Sequence, residues 1–287
     1  MIDKPGVYQI SSEEYHADPC PVPSLSSGIA KIMLDQSPRH AWAAHPRLNP
    51  AYKAENSQQF DLGKAAHSLI LDDPQRFVYV EADSYRTKAA QLERDAAYQA
   101  GHIPLLPSQA LAVEGMQRAF HSDLSRHTEL QEAWGYGSSE QTWIDCDEGT
   151  WFRIRPDRVS EQMHIIIDYK TIANAAPESC VRQIFAMGWD VQNGFYRRTA
   201  NFLKDAWEVP YRFVFLFQET EPPYCLTAVE LAPDAQAYAD HRAAKAVALW
   251  RQCMAEQSWL GYPAETCFAN LPTWTAKRWE SEQIREP

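Results

Sequence analysis

Two periods of apolar residues alternate along this chain, and the switches between them predict its elements. Residues 28–34 carry apolar side chains at helical spacing behind Ser24-Leu25-Ser26-Ser27, whose hydroxyls suit a helix start. Ser37-Pro38 restarts the chain into a short helix through Trp42. Ahead of these, residues 1–23 read as an irregular lead-in broken by Pro19, Pro21 and Pro23. Residues 49–59 are polar and predict a loop, and Phe60, Leu62, Ala66, Leu69 and Ile70 predict a buried helix stopped by Asp72-Asp73-Pro74. Residues 84–134 predict helix interrupted over 101–107, with Ser108 as the cap of the next helix.

The pattern then turns to strand type over 139–146, 150–155 and 163–169, with Asp147-Glu148-Gly149 as a hairpin turn. Residues 177–204 form the longest helical pattern, with Pro177 in its first turn, where proline is tolerated. A second strand pair, 211–218 and 224–231, flanks Glu221-Pro222-Pro223, and residues 234–257 predict a final helix. The order of helices, three strands, long helix, two strands and helix predicts an α/β fold with a mixed central sheet flanked by helices. One domain is expected over 24–257, helical over 24–135 and carrying the sheet and long helices over 136–257. An irregular, Trp-rich tail over 258–287 follows it.

Composition narrows the class. The 287 residues are 45% hydrophobic and 12% aromatic, enough for a large core and unlike a disordered chain. No apolar run approaches the roughly 18–20 residues that cross a bilayer, and the N-terminus lacks a secretory pattern, so a cytoplasmic protein with no membrane partner is expected. Cysteines 20, 146, 180, 225, 253 and 267 include no C-x-x-C pair, which argues against a zinc ribbon or an iron–sulfur cluster. The net charge of −11 argues against a general nucleic-acid coat protein. It is unevenly placed: residues 151–212 hold nine Lys or Arg against seven Asp or Glu, a surplus of +2 that leaves −13 elsewhere. A locally basic region in an acidic chain suits a protein that grips phosphate only where it acts.

Candidate chemistry centres on 153–170. Arg155-Pro156-Asp157 is followed by Ile165-Ile166-Ile167-Asp168-Tyr169-Lys170, and residues two apart on a strand share a face, so Asp168 and Lys170 project together with Asp157 beside them. Charges at the end of so apolar a strand are costly without partners. Two carboxylates suit a magnesium-type ion, which takes one or two acids and fills its shell with water and phosphate oxygens, and the Tyr169 carbonyl is a further candidate ligand. Lys170 beside them is either a charged electrostatic clamp or, desolvated and neutral, a base. The chemistry indicated is metal-dependent hydrolysis of a phosphodiester. Glu140 is either a third acid near the metal or a solvated acid at a strand start. His67, in Gly63-Lys64-Ala65-Ala66-His67, is either a core histidine or a ligand. Gln192 and Tyr196 share a helix face at i, i+4, with Arg197 and Arg198 nearby, and form either a phosphate-backbone contact or a half-exposed face.

Taken in order, Leu25-Ser26…Ser37-Pro38, Gly63…His67, Arg155-Pro156-Asp157, Asp168-Tyr169-Lys170-Thr171 and Gln192…Tyr196 resemble the PD-(D/E)xK nuclease superfamily, and within it the RecE-like, exonuclease VIII type. The resemblance spans residues 24–230. It implies a restriction-endonuclease-like core with an N-terminal helical elaboration. It implies His67, Asp157 and Asp168 as metal ligands, Lys170 as catalytic lysine, and Gln192 and Tyr196, with Arg197 and Arg155, as DNA contacts. It further implies two Mg2+ ions per site, replaceable by Mn2+, and degradation of one strand of linear duplex DNA from its 5′ end, leaving 3′ overhangs. Homo-oligomeric rings and a single-strand annealing recombinase as partner, in phage or prophage recombination, belong to the same expectation. Relatives with iron–sulfur clusters place four cysteines around this core, an arrangement this chain lacks. Two other readings stand beside it: a structure-specific endonuclease of the same superfamily and a non-catalytic DNA-end-binding protein.

Overall fold

A computed structural model describes residues 1–53, 62–71 and 77–283. The chain opens with β1 (Gly6–Tyr8), α1 (Ser12–His16), β2 (Leu25–Ser26), α2 (Ser27–Asp35) and α3 (Pro38–Ala44). Next come α4 (Leu62–Ile70), β3 (Phe77–Tyr79), α5 (Lys88–Gln99), β4 (Ile103–Leu105), α6 (Pro107–Leu124) and α7 (Thr128–Gly135). The sheet region holds β5 (Ser138–Ser139), β6 (Thr142–Asp147), β7 (Thr150–Ile154), β8 (Arg158–Ser160) and β9 (Ile165–Ile172). It is followed by α8 (Pro177–Ala186), α9 (Trp189–Lys204), β10 (Arg212–Glu219), β11 (Leu226–Glu230), α10 (Pro233–Glu256) and α11 (Thr273–Gln283).

The central sheet has the order β11-β10-β9-β8-β5, and only its β9–β10 pair is parallel. A parallel pair needs a long crossover, and α8 with α9 supplies it. A second sheet, β1-β6-β7-β2, is also mixed, and β3 and β4 pair in parallel around α5. The fold is therefore α/β with mixed sheets flanked by helices, as the order of periods predicts.

Alternation along β9 and β10 divides the core. Ile166, Phe213, Phe215 and Phe217 pack with Val191, Phe195 and Ala200 of α9 on one face. Ile165, Ile167, Tyr169, Val214 and Leu216 pack with Met116, Phe120 and Trp134 on the other. The Ile165–Ile167 run is thus apolar throughout because both faces are covered. α9 lies close against α10 at Gly194, where a Cβ would come 2.4 Å from the Ala239 carbonyl oxygen. Gly194→Ala is expected to cost about 3 kcal/mol by forcing these helices apart, read as a lower thermal midpoint with near-native helix content. An unchanged midpoint would contradict this packing.

Several expectations need correction. The lead-in is ordered: β1 pairs with β6, and Ser11 and Glu14 form a capping box on α1. Asp18 then accepts from the Ser24 N–H (2.8 Å) and hydroxyl (2.6 Å) and lies 3.4 Å from the buried Arg153 guanidinium. A three-residue strand carries no period of its own, so only its partner reveals it. The helix expected over 177–204 is two helices, broken at Gly188 (φ +65°). The interruption after Gly101 contains β4, and the tail contains α11. The strand expected over 139–146 is split: Ser139 belongs to β5, β6 starts at Thr142, and Glu140 sits between them in a left-handed turn (φ +52°). Residues 54–59 of the expected loop, the helix start at Phe60 and the stop at Asp72-Asp73-Pro74 lie outside the described residues. Among the described residues no helix is long and apolar enough to cross a membrane.

Candidate active site

Antiparallel pairing sets Arg158 against Ile167, and continuing that register brings Asp157 opposite Asp168. Pro156 has no N–H to extend the ladder. At this point the Asp157 side chain replaces a strand carbonyl, its Oδ2 accepting from the Tyr169 N–H at 2.8 Å. The Glu140 N–H donates to the carbonyls of Pro156 (3.1 Å) and Asp157 (3.2 Å), which anchors the turn before the acid.

Asp168 is buried and faces α9, sharing its side of the sheet with Lys170 as the strand period requires. Its Oδ1 accepts from Gln192 Nε2 at 2.6 Å, and its Oδ2 lies 2.5 Å from Lys170 Nζ. From the other layer, α4 brings His67, whose Nε2 lies 3.2 Å from Asp157 Oδ1. The intervening Tyr169 points into that second layer, where its hydroxyl donates to the buried Gln218 Oε1 at 2.6 Å. Tyr169, between Asp168 and Lys170, is thereby held at its N–H by Asp157 and at its hydroxyl by Gln218.

The acids thus sit between a histidine and a lysine. Burial pushes Asp168 up to about 6, against the pull of Lys170 and helped by the neighbouring charge of Asp157. Burial also raises Asp157, but His67, Lys170 and the Tyr169 N–H outweigh it and hold this acid below the usual range. Burial works downward on both His67 and Lys170, yet Asp157 and then Glu140 and Asp168 raise His67, Asp168 and then Asp157 raise Lys170, and both end shifted upward. The group comprises two close pairs, His67–Asp157 and Asp168–Lys170. A cleft of about 430 Å³ opens on it, lined by Gly63, Lys64, His67, Ser68, Ile103, Glu140, Tyr169, Lys170 and Thr171.

No three His, Cys, Asp or Glu side chains form a ready metal cage among the described residues. The donor chemistry nevertheless fits a hard divalent ion. Such ions take one or two carboxylates and complete their shell with water and substrate oxygens. The buried Asp168, its pKa lifted by burial and by a second acid, is a carboxylate whose charge a cation would favour.

Asp157, Asp168, Lys170, His67 and Tyr169 come together, and Glu140 lies on the cleft but is paired with Arg155 at 3.3 Å. The expected DNA contacts are placed differently. Gln192 and Tyr196 do share a face, but it is turned to the strands: Gln192 holds Asp168, and the buried Tyr196 donates its hydroxyl to the Arg155 carbonyl at 3.2 Å. Arg197, one residue round the helix, donates to the Tyr211 carbonyl (2.8 Å) and to both oxygens of Asp240 (3.0 Å). Arg155 reaches the Ile10 carbonyl at 2.8 Å as well as Glu140, and Arg198 pairs with Asp147 at 2.7 Å. None of these five residues lines the cleft.

The basic surplus of 151–212 is likewise engaged inside the molecule. Eight of its nine cations (153, 155, 158, 170, 197, 198, 204 and 212) hold acids or backbone carbonyls. The cleft cations are Lys170 and Lys64, with Ser68 beside them. Lys64 and Ser68 escaped the sequence reading, although Lys64 shares a helix face with His67 at i+3 and with Ser68 at i+4.

No family model and no curated protein matches the chain. Among solved structures, the crystal structure described as "Putative exonuclease" from Eubacterium rectale is 12% identical, with 94% of this chain and 98% of that chain covered and a TM-score of 0.58. The structure of SSO0001 aligns at 13% identity over 65% of this chain and 85% of that chain, but its TM-score of 0.25 carries no weight for the fold. What this chain shares with the Eubacterium rectale protein is its mixed α/β fold.

Proposed function

We propose that the protein is a metal-dependent nuclease, and more finely an exodeoxyribonuclease that degrades one strand of linear duplex DNA from the 5′ end. The observation that carries the reading is the meeting of Asp157 and Asp168 with His67 and Lys170, the two partners that line the cleft. The likeness in fold to the protein described as "Putative exonuclease" supports it, as does the order of motifs in the sequence. The same resemblance extends the proposal to Mg2+, to a ring of copies and to a single-strand annealing partner.

In this reading Asp157 and Asp168 hold the metal, with His67 against Asp157. A bound divalent cation would lower the pKa of a water and draw charge from a phosphodiester oxygen. Gln192 fixes the rotation of the Asp168 carboxylate through Oδ1, and the Tyr169 N–H does the same for Asp157. Lys170, drawn upward in pKa by the two acids, is an ammonium that places positive charge beside the cleft. This favours the electrostatic role for Lys170 over that of a neutral base.

A digest of linear duplex DNA labelled separately at its 5′ and 3′ ends tests reaction, metal and direction together. With Mg2+ the 5′ label is released first as small products, and EDTA stops release. Rapid cutting of closed circular DNA would instead favour the structure-specific endonuclease, and DNA binding without release in any metal would leave an end-binding protein.

A further inference from the structure

Lys170 is held from two sides. Its ammonium nitrogen lies 2.5 Å from Asp168 Oδ2 and 5.5 Å from the centre of the Trp189 ring. Trp189 is the first residue of α9, and its ring lies 5.7 Å from that of Phe217. Phe217 is the residue that β10 sets beside Lys170 in the parallel register. The indole therefore covers two neighbouring positions on one sheet face, a phenyl ring and a lysine. A lysine on a flexible stem has three donors and no direction of its own. One carboxylate sets how far its nitrogen reaches, and an aromatic face on another side restricts where it points.

The first turn of α9 is itself fixed. A Cβ on Gly188 would meet Asp35 Oδ2 at 2.7 Å and Lys31 Cδ at 2.9 Å, so α2 backs directly onto the turn. Asp190, fully buried, pairs with Arg242 at 2.9 Å, and Arg242 also reaches Asp35 at 2.5 Å. Trp189 is thus presented from a braced helix end, with Gln192 holding Asp168 one turn further on.

We propose that Trp189 is a positioning residue that, together with Asp168, directs the Lys170 ammonium into the cleft, through its aromatic face and not through its bulk. The kinetic consequence rests on the nuclease reading; the contact itself rests on geometry alone.

The test compares Trp189→Phe with Trp189→Leu in the full chain, with Trp189→Met in place of leucine if that variant does not fold. Phenylalanine is expected to keep kcat within about threefold of the parent, whereas leucine lowers kcat roughly tenfold and leaves KM unchanged. The Lys170 ε-methylene resonance, assigned by its loss in Lys170→Arg, is expected upfield under the ring current of the parent and of the phenylalanine variant. In the leucine variant it returns to the ordinary lysine position. Equal kcat values for phenylalanine and leucine, a loss confined to KM, or a resonance that leucine does not move each overturn the proposal. A parent protein that releases no nucleotides sinks the nuclease reading instead. In that case the resonance, which needs no turnover, still decides whether Trp189 holds Lys170.

Discussion

On the proposed reading, Asp168→Asn is expected to lower nucleotide release from linear duplex DNA by about a thousandfold or more and to leave the protein folded. Both halves follow from the setting of this one side chain. Asp168 accepts from Gln192, faces Lys170 and stands opposite Asp157, so asparagine removes a charge that any cation bound there would need. The fold loses little because burial already works against that charge, lifting the carboxyl to about 6. A neutral amide of the same shape keeps the Gln192 contact, and the exposed part of Lys170 turns to water. Labelled-DNA digestion measures the first half and circular dichroism the second. Release at the parental rate from a folded Asp168→Asn protein would place the chemistry elsewhere.

Arg242→Leu is expected to cost about 3–5 kcal/mol, because it strands the buried Asp190 carboxylate without its partner. In a chain of this length that corresponds to a fall of roughly 5–8 °C in thermal midpoint. Activity should fall as well, although Arg242 lies outside the cleft, since the helix end it braces carries both Trp189 and Gln192. A thermal melt and the same digest read the two effects. An unaltered midpoint would mean that Asp190 finds water or another donor. Lost stability with full activity would mean that the first turn of α9 does not need this brace.

The central strand and its charges were legible in the sequence because β9 is buried on both faces. Three isoleucines followed by Asp168 and Lys170 leave little choice of element or of side. Asp157 was legible as the acid of Arg155-Pro156-Asp157, shortly before that strand. Less visible were features that depend on a partner. β8 has three residues and is defined by β9, as β1 is by β6. The break at Gly188 hid inside a run with helical spacing, because what requires a glycine there is Asp35 and Lys31, some 150 residues earlier. Periodicity put Gln192 and Tyr196 on one face correctly but could not say that the face looks at the strands. Arg197, adjacent in sequence, points toward α10 for the same geometrical reason. Trp189 gave no signal at all, since its meaning comes from the register that sets Phe217 beside Lys170.

The arginines of the sheet region are committed to carboxylates and carbonyls of their own molecule, and so they have few counterions to displace from a polyphosphate. Binding that neutralises only a few phosphates releases only a few condensed ions, and its affinity declines gently as salt is raised. On the proposed reading, such an enzyme would recognise a DNA terminus through the shape of its cleft and its metal more than through long-range attraction. An acidic molecule of this kind would leave intact duplex largely unclaimed.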